Sequence, residues 1–156
     1  PSAMLHLRLP QTIAHEFFQV TDVPHLRPDH CFSFVEIAGD LVFLDSRAAK
    51  NEMEGRDAPL VGLGTAWWVF AVSGTGDAWL ISADDNAQRI AFLDHDAGPE
   101  ATPQLLGIDF AQWLQLADVV RQFEWADALG LSAQAEQLLE QISAGLSGRY
   151  PYQLLV

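Results

Sequence analysis

The sequence predicts an α+β protein in which an antiparallel sheet packs with N-terminal and C-terminal helices. Three short apolar runs lie between residues 67 and 93, separated by two turns rich in Gly, Asp and Asn. That is the pattern of an antiparallel meander. Apolar residues at helical spacing stand before and after this stretch. Helices grouped at the ends of an antiparallel sheet are typical of the α+β class.

Length and composition predict a single domain over residues 4–156. The chain has 156 residues, 49% of them hydrophobic, which suffices for one core. Residues 1–3 precede Met4 and are interpreted as a cloning remnant. No apolar run is long enough for a membrane span, no signal peptide is recognised, and the lone Cys31 excludes an internal disulfide. These features favour a reducing, cytoplasmic location.

Before the meander, the sequence predicts one helix, two paired strands and an exposed connection. Pro10 suits the first position of a helix, and Ile13 and Phe17 share one helical face. The predicted elements are a helix from Leu9, a loop at 21–29, strands at 31–37 and 41–44, a polar connection at 46–59 with a helical turn at 48–54, and a short strand at 60–63.

The first run of the meander, residues 67–72, is apolar on both of its alternating faces. A strand of this kind is usually central and covered on both sides. The second and third runs, at 77–82 and 88–93, follow after short polar turns. The rest of the chain must therefore supply cover for both faces.

After the meander, the sequence predicts a loop, two helices and an apolar tail. Asp109 is placed to cap a helix, and that helix is expected to cover one face of the sheet. Gly130 is expected in the left-handed residue that ends it, and Ser132 is expected to cap the last helix. The tail at 150–156 is expected to dock as an extended segment. The helical stripe is formed by Phe110, Trp113, Leu114, Ala117 and Val120.

The charge is strongly acidic, with 21 Asp and Glu, 8 Lys and Arg, and a formal net charge of −13. From Asp77 onward there are twelve acidic and three basic residues, whereas nine acidic and five basic residues precede it. The negative charge is therefore concentrated in the second half of the chain. Such a field repels nucleic acid and anionic membranes and speeds encounter with a basic partner. Solubility alone also explains an acidic surface, so the charge leaves both interpretations open.

Three segments resemble the SMI1/KNR4 family, also called the SUKH superfamily. The first is a Leu-Pro helix with aliphatic and aromatic residues at 9–18. The second, at 68–81, is an apolar strand followed by a Gly-x-Gly-Asp turn and another strand. The third is a strand ending in Asp-His-Asp at 89–96, followed by a Phe-x-x-Trp-Leu helix at 110–114. The family's Asn-Gly after the first helix is missing here. Residues 25–59 and those from 132 onward lie outside the likeness.

The resemblance implies an α+β fold without a known catalytic site. Many bacterial members of the family are similar to immunity proteins, which bind and neutralise toxins delivered by neighbouring cells. Eukaryotic relatives act as interaction proteins in cell-wall regulation. Likeness of fold is a weak guide to function, so a partner is not identified by it.

Three patterns invite catalytic or ligand-binding interpretations, and each has a simpler one. The glycines at 74 and 76 are followed by a strand rather than a helix, which favours a tight hairpin over a phosphate cradle. Asp94, His95 and Asp96 alternate along an extended chain and do not converge on a metal by themselves. Ser73 or Ser82 would need a His and an Asp in triad geometry, and no Gly-x-Ser-x-Gly elbow is present. No catalytic residue, metal site or cofactor is predicted.

The surface that contacts a partner is predicted to be acidic. Most of the five Trp residues are expected in the core, but Trp67 is expected to be an exposed anchor, because neighbouring Trp67 and Trp68 face opposite sides. Ordinary loop solvation also explains the acids. The candidate partner-binding residues are Trp67, Asp84, Asp85, Asp94, Asp96, Glu52, Glu54 and Asp57.

The resemblance and the charge together predict a non-enzymatic protein-binding module, an immunity protein whose partner is a cationic toxin domain such as a basic nuclease. One alternative is a regulatory or scaffold protein with an endogenous partner. Another is a small-molecule-binding protein or hydrolytic enzyme. A cavity with several titratable groups directed at one point would favour that last alternative.

Overall fold

The computed structural model describes residues 4–55, 60–83, 86–98, 101–126 and 130–154, and it confirms the α+β class. Within these residues there are five helices and seven strands. In chain order they are α1 (Pro10–Phe18), β1 (Val35–Ala38), β2 (Leu41–Phe43), α2 (Ser46–Glu54), β3 (Val61–Gly62), β4 (Thr65–Val72), β5 (Ala78–Ser82), β6 (Arg89–Leu93), β7 (Gln104–Asp109), α3 (Phe110–Trp125), α4 (Ser132–Ile142) and α5 (Leu146–Arg149).

The sheet is antiparallel throughout, with the strand order β1-β2-β4-β5-β6-β7 and with β3 paired to the start of β4. The predicted meander forms β4, β5 and β6, in which Trp68 lies opposite Ile81 and Ala78 lies opposite Leu93. The register between β4 and β5 shifts between Val69 and Ala71. A shift of this kind places a bulge in a strand and bends it, here in the longest strand of the sheet.

The core lies between the sheet and α3. Phe70 of β4 contacts Phe110 and Trp113 of α3 edge-on, with ring centroids 5.8 and 4.7 Å apart. Trp113 also contacts Trp79 of β5 at 6.2 Å. Edge-to-face pairs of this kind stabilise a core beyond the burial of their area. The helix predicted to cover the sheet therefore does so, and α1 and α4 pack against it in turn.

The start of α3 has the reciprocal hydrogen bonds of a capping box. The Asp109 carboxylate accepts a bond from the Gln112 backbone N–H at 2.9 Å, and the Gln112 side chain accepts one from the Asp109 backbone N–H at 3.0 Å. The prediction of Asp109 as the N-cap is confirmed. The bonds satisfy two backbone donors that the first turn leaves free.

Two strand predictions are wrong. Residues 97–108 were expected to form a loop, yet Gln104–Asp109 form β7, an edge strand in which only Leu106 and Ile108 are buried. Such a half-exposed strand has a weak apolar signal. The first strand is also shorter than expected, because pairing begins at Val35 and leaves Phe34 exposed.

The predicted ends of the C-terminal helices also differ from the structure. Helix α3 ends at Trp125, and Gly130, although left-handed with φ of 87°, lies beyond its C-cap at Ala126. Helix α4 is preceded by Leu131, and Ser132 is its first residue rather than its cap. Both positions carry residues with the right intrinsic preference, but the chain places the helix ends elsewhere.

The C-terminal tail docks on the domain as predicted. The Tyr150 ring stacks on Trp79 with centroids 6.5 Å apart and an interplanar angle of 14°. Leu154 is buried, while residues 155 and 156 lie outside the described residues. In the part of the chain that the structure describes, none of the helices has both the length and the apolar character needed to cross a membrane.

Candidate functional site

Trp67 is not the exposed anchor that the sequence suggested. Its side chain is 2% exposed, and the Arg89 guanidinium lies 5.5 Å from the centre of its ring. Neighbouring Trp68 is buried as well, because β4 is covered on both faces and neither side chain reaches solvent. The tryptophan that is exposed, by 79%, is Trp125 at the end of α3.

The predicted acidic residues fall into two groups. Asp94 and Asp96 lie in the turn directly after β6, and Glu52 and Glu54 lie on the exposed surface of α2. Glu54 is 3.8 Å from the Lys50 ammonium, in a pair with both side chains largely exposed. Exposed pairs of this kind contribute little to stability. The other predicted residues, Asp57, Asp84 and Asp85, lie outside the described residues.

Residues Asp94, His95 and Asp96, hereafter the acidic loop, are held in place by Asp77. Asp77 Oδ1 accepts a hydrogen bond from the His95 backbone N–H at 3.0 Å and lies 2.5 Å from His95 Nδ1. The Asp94 carboxylate accepts one from the Asp96 backbone N–H at 2.8 Å. These bonds fix the loop backbone while the Asp94 and Asp96 side chains stay 59% and 82% exposed.

The other oxygen of Asp77 binds the C-terminal tail and the preceding turn. Asp77 Oδ2 accepts hydrogen bonds from the Tyr152 hydroxyl at 2.6 Å and from the Thr75 hydroxyl at 3.1 Å, and Ser73 Oγ lies 3.4 Å away. Asp77 therefore joins the β4–β5 turn, the acidic loop and the tail. Sequence reasoning missed this role, and the available signal was an acid directly after Ser-Gly-Thr-Gly at the start of a strand.

The titration behaviour of this cluster follows from its contacts. Burial alone would raise the pKa of Asp77, but hydrogen bonds from Tyr152, His95 and Thr75 outweigh burial and hold that pKa below its ordinary value. The bond to Asp77 raises the pKa of His95, and the charges of Asp96 and Asp94 add to this effect. Burial and the bond to Asp77 raise the pKa of Tyr152. These contacts favour the ionised form of Asp77, the protonated form of His95 and the neutral form of Tyr152.

A cavity of about 450 Å³ lies beside this cluster. Asp77, Asp94 and the Tyr152 side chain line one part of it, and Phe92 and Gln104 line another. Its volume is in the range of small-molecule sites. Titratable groups thus meet at one buried carboxylate next to a cavity, which the sequence analysis did not predict.

Asp77, Asp94 and His95 place three potential metal ligand atoms within 4.8 Å of one another. Asp94, His95 and Asp96 lie in a turn rather than alternating along an extended chain, and the third ligand atom of this group comes from Asp77. Both Asp77 oxygens already accept hydrogen bonds, and His95 Nδ1 faces Asp77 Oδ1. A metal ligand must be a deprotonated nitrogen or oxygen, so an ion would have to replace these bonds.

The cluster is not a Ser-His-Asp triad. In a triad the serine hydroxyl bonds to the histidine nitrogen that faces away from the aspartate. Here Ser73 bonds to Asp77 itself, and His95 Nε2 lies 3.3 Å from Asp96 Oδ1. Ser82 lies at the other end of β5, where its hydroxyl accepts a bond from the Arg89 backbone. What the geometry does provide is an imidazole oriented by the Asp77 carboxylate, with the His95 side chain 45% exposed.

The glycine turn forms a hairpin, as predicted. The Ser73 backbone N–H donates to the Asp77 carbonyl at 2.9 Å, and Gly76 adopts a φ of 93° that favours glycine. Strand β5 follows directly. A phosphate cradle would need a helix at this point.

No family model, curated protein or solved structure matches this chain at a significant level. The resemblance to the SMI1/KNR4 family therefore stays a prediction from the sequence.

Proposed function

We propose that this protein is a non-enzymatic protein-binding module, an immunity protein that neutralises a toxin in the cytoplasm by covering a basic surface. The observation that carries the proposal is the acidic loop, in which two exposed carboxylates stand on a backbone fixed by Asp77. A fixed loop loses little conformational freedom when a partner binds. Its charge adds to a net charge of −13.

Basic and acidic side chains differ in how far they reach solvent. Of the 8 basic residues, Arg8 and Arg121 form ion pairs with the buried Asp118 at 3.0 and 2.6 Å. Their positive charges are therefore partly compensated within the fold. Asp94 and Asp96 face solvent. Rim charges of this kind raise the association rate and make it depend on salt.

A basic nuclease is the partner that this surface fits best. A protein that binds nucleic acid presents Lys and Arg to the phosphate backbone. An acidic module that occupies those residues excludes the nucleic acid without any chemical step. The resemblance to the SMI1/KNR4 family supports a toxin as the partner, and the acidic charge supports a basic nuclease among toxins.

The test is binding to the toxin domain encoded beside this protein, measured at about 50 and 500 mM salt, where the Debye length falls several-fold. We expect tight binding at low salt with an association rate that drops at high salt. The same measurement with the Asp94→Asn/Asp96→Asn variant tests whether the salt dependence of the association rate comes from the acidic loop. We expect a slower association that depends less on salt. No binding to that toxin, together with capture of an endogenous partner from cells lacking it, would instead support a regulatory or scaffold protein.

One observation favours a second candidate function, hydrolysis with His95 as a general base. His95 Nδ1 is oriented by a buried carboxylate, as in catalytic dyads, and the cavity of about 450 Å³ lies alongside. A panel of activated esters would test this. Turnover that rises with pH through the titration of His95 and disappears in the His95→Asn variant would support hydrolysis, and turnover that survives the variant would exclude His95.

A further inference from the structure

A second cavity, of about 540 Å³, lies between α2 and the loop before β1 and is called here the α2 cavity. Buried Trp68 and Ala49 and half-buried Met53 provide apolar surface, and Pro28 forms the opposite wall. The Met53 sulfur accepts a hydrogen bond from the Val69 backbone N–H at 3.3 Å, which ties α2 to β4. Apolar lining of this kind favours a ligand with an apolar chain or ring.

The described residues that line the α2 cavity include two cations at its rim, on a protein that is acidic overall. Arg47 and Lys50 line it and are exposed, and Asp29 is the one acid among the described lining residues. Among the described lining residues the formal charges sum to +1, and Lys50 also faces Glu54 at 3.8 Å, so Arg47 is the cation at this rim whose charge is least offset. Charge complementarity selects a ligand with a single negative charge.

The size of the α2 cavity favours a small molecule over a protein segment. Its volume of about 540 Å³ is typical of small-molecule sites. The nine residues of α2 extend roughly 13 Å at 1.5 Å per residue. A groove of that length gives a docked helix or strand much less contact than a stable protein interface needs.

We propose that the α2 cavity binds a small amphiphilic carboxylate, an apolar chain or ring with one carboxylate group. The apolar part packs on Trp68, Ala49 and Met53. The carboxylate lies at the rim beside Arg47 and Lys50, away from Asp29. This site lies beside the middle of β4 and does not involve the acidic loop, so it stands independently of the immunity function.

The chain offers a direct reporter, because Met4 and Met53 are its only methionines. Met53 lines the α2 cavity, whereas Met4 is 63% exposed near the N-terminus. The probe is decanoate, kept below its micelle concentration and added to protein labelled with ¹³C at the methionine methyl groups. We expect the Met53 signal to shift and saturate while the Met4 signal stays in place.

The charge dependence is tested with ligands and with variants. The neutral 1-decanol and the cationic decylamine should bind at least several-fold more weakly than decanoate. Arg47→Gln and Lys50→Gln should each weaken decanoate binding about three- to tenfold, as expected for charge-assisted contacts near the surface. Asp29→Asn should strengthen it about twofold, because a repulsion is removed.

Arg27→Gln is the matched control. Arg27 lies in the neighbouring loop but does not line the α2 cavity, so its loss changes the net charge equally and should alter binding less than about twofold. Two results would overturn the proposal. One is the absence of a saturable Met53 shift. The other is equal affinity for decanoate and decanol with no effect of Arg47→Gln or Lys50→Gln.

Discussion

Asp77 is the residue at which three separate parts of the chain meet. Its carboxylate accepts hydrogen bonds from Thr75 in its own turn, from His95 after β6 and from Tyr152 in the tail. A buried carboxylate is costly unless such donors satisfy it. The same bonds that lower the pKa of Asp77 therefore hold the acidic loop in its exposed geometry.

The Asp77→Asn substitution should destabilise the protein by about 2–4 kcal/mol, because a neutral amide turns one acceptor into a donor among buried donors. Urea unfolding gives the free energy. Asp94→Asn is the control, since Asp94 is 59% exposed, and it should change stability by less than about 0.5 kcal/mol. Equal effects of the two substitutions would show that Asp77 does not organise this region.

The stability of the protein should depend on the titration of His95. The pKa of His95 is raised in the folded state by Asp77, with Asp96 and Asp94 also facing it. The stabilisation is therefore complete below the unfolded value of 6.5 and is lost as pH rises through the folded value. Unfolding free energies measured from pH 5.5 to 9 should fall more for the wild type than for His95→Asn, which keeps a donor but does not titrate. Parallel curves would exclude this linkage.

Strand β7 and the two C-terminal helices are joined through Arg149. The Arg149 Nε donates to the Leu106 carbonyl at 2.7 Å, and its Nη2 donates to the Ala144 carbonyl at 3.2 Å. The guanidinium passes between two glycines with positive φ, Gly107 at 73° and Gly145 at 85°. A Cβ on Gly107 would lie 2.8 Å from Arg149 Nη2, which is too close unless the guanidinium moves.

Gly107→Ala should therefore cost about 2–4 kcal/mol, from backbone strain at positive φ together with the lost Arg149 contacts. Gly98→Ala provides the comparison, because Gly98 has a φ of 89° and, among the described residues, no atom within 4 Å of the added Cβ. That variant should cost only about 1 kcal/mol of backbone strain. Thermal or urea unfolding measures both, and if the two costs coincide the Arg149 contact contributes nothing.

Local sequence patterns were sufficient to predict the elements whose signals are local. The meander has strong apolar runs and polar turns, and the α3 cap depends on Asp109 and Gln112, three residues apart. Strand β7 lacked such a signal, because only alternate positions near Gly107 are buried. Its edge position follows from pairing with β6, which no local pattern encodes.

The candidate site was only partly predictable for the same reason. Asp94 and Asp96 were selected for their charge, and both are exposed. The contact between Asp77 and Tyr152 joins positions 75 residues apart, so it depends on where the tail docks. Trp67 was misplaced because its exposure was inferred only from the opposite orientation of Trp67 and Trp68, whereas the apolar character of both faces of β4 already predicts that both are covered.

At the scale of the whole molecule, the predicted partner-binding acids that the structure describes lie in two different places relative to β4. The acidic loop stands beyond the end of β4, next to the Ser73–Asp77 turn, whereas Glu52 and Glu54 belong to α2, which packs beside the middle of that strand. Both groups add to the same net charge. Long-range electrostatic attraction depends on the net charge, so the two groups should affect the association rate equally. A direct contact with the partner would make one group matter more than the other.

This difference allows a test with charge held constant. Asp94→Asn/Asp96→Asn and Glu52→Gln/Glu54→Gln each remove two negative charges, so a purely steering role predicts the same small loss in association rate, about two- to threefold. If the acidic loop contacts the partner, its variant should also raise the dissociation rate and weaken binding about tenfold or more. Stopped-flow and surface-based kinetics with the proposed toxin partner separate the two rates. A larger loss of affinity for Glu52→Gln/Glu54→Gln would place the interface on α2. Equal losses of affinity for the two variants would show that the acidic loop contributes only its net charge.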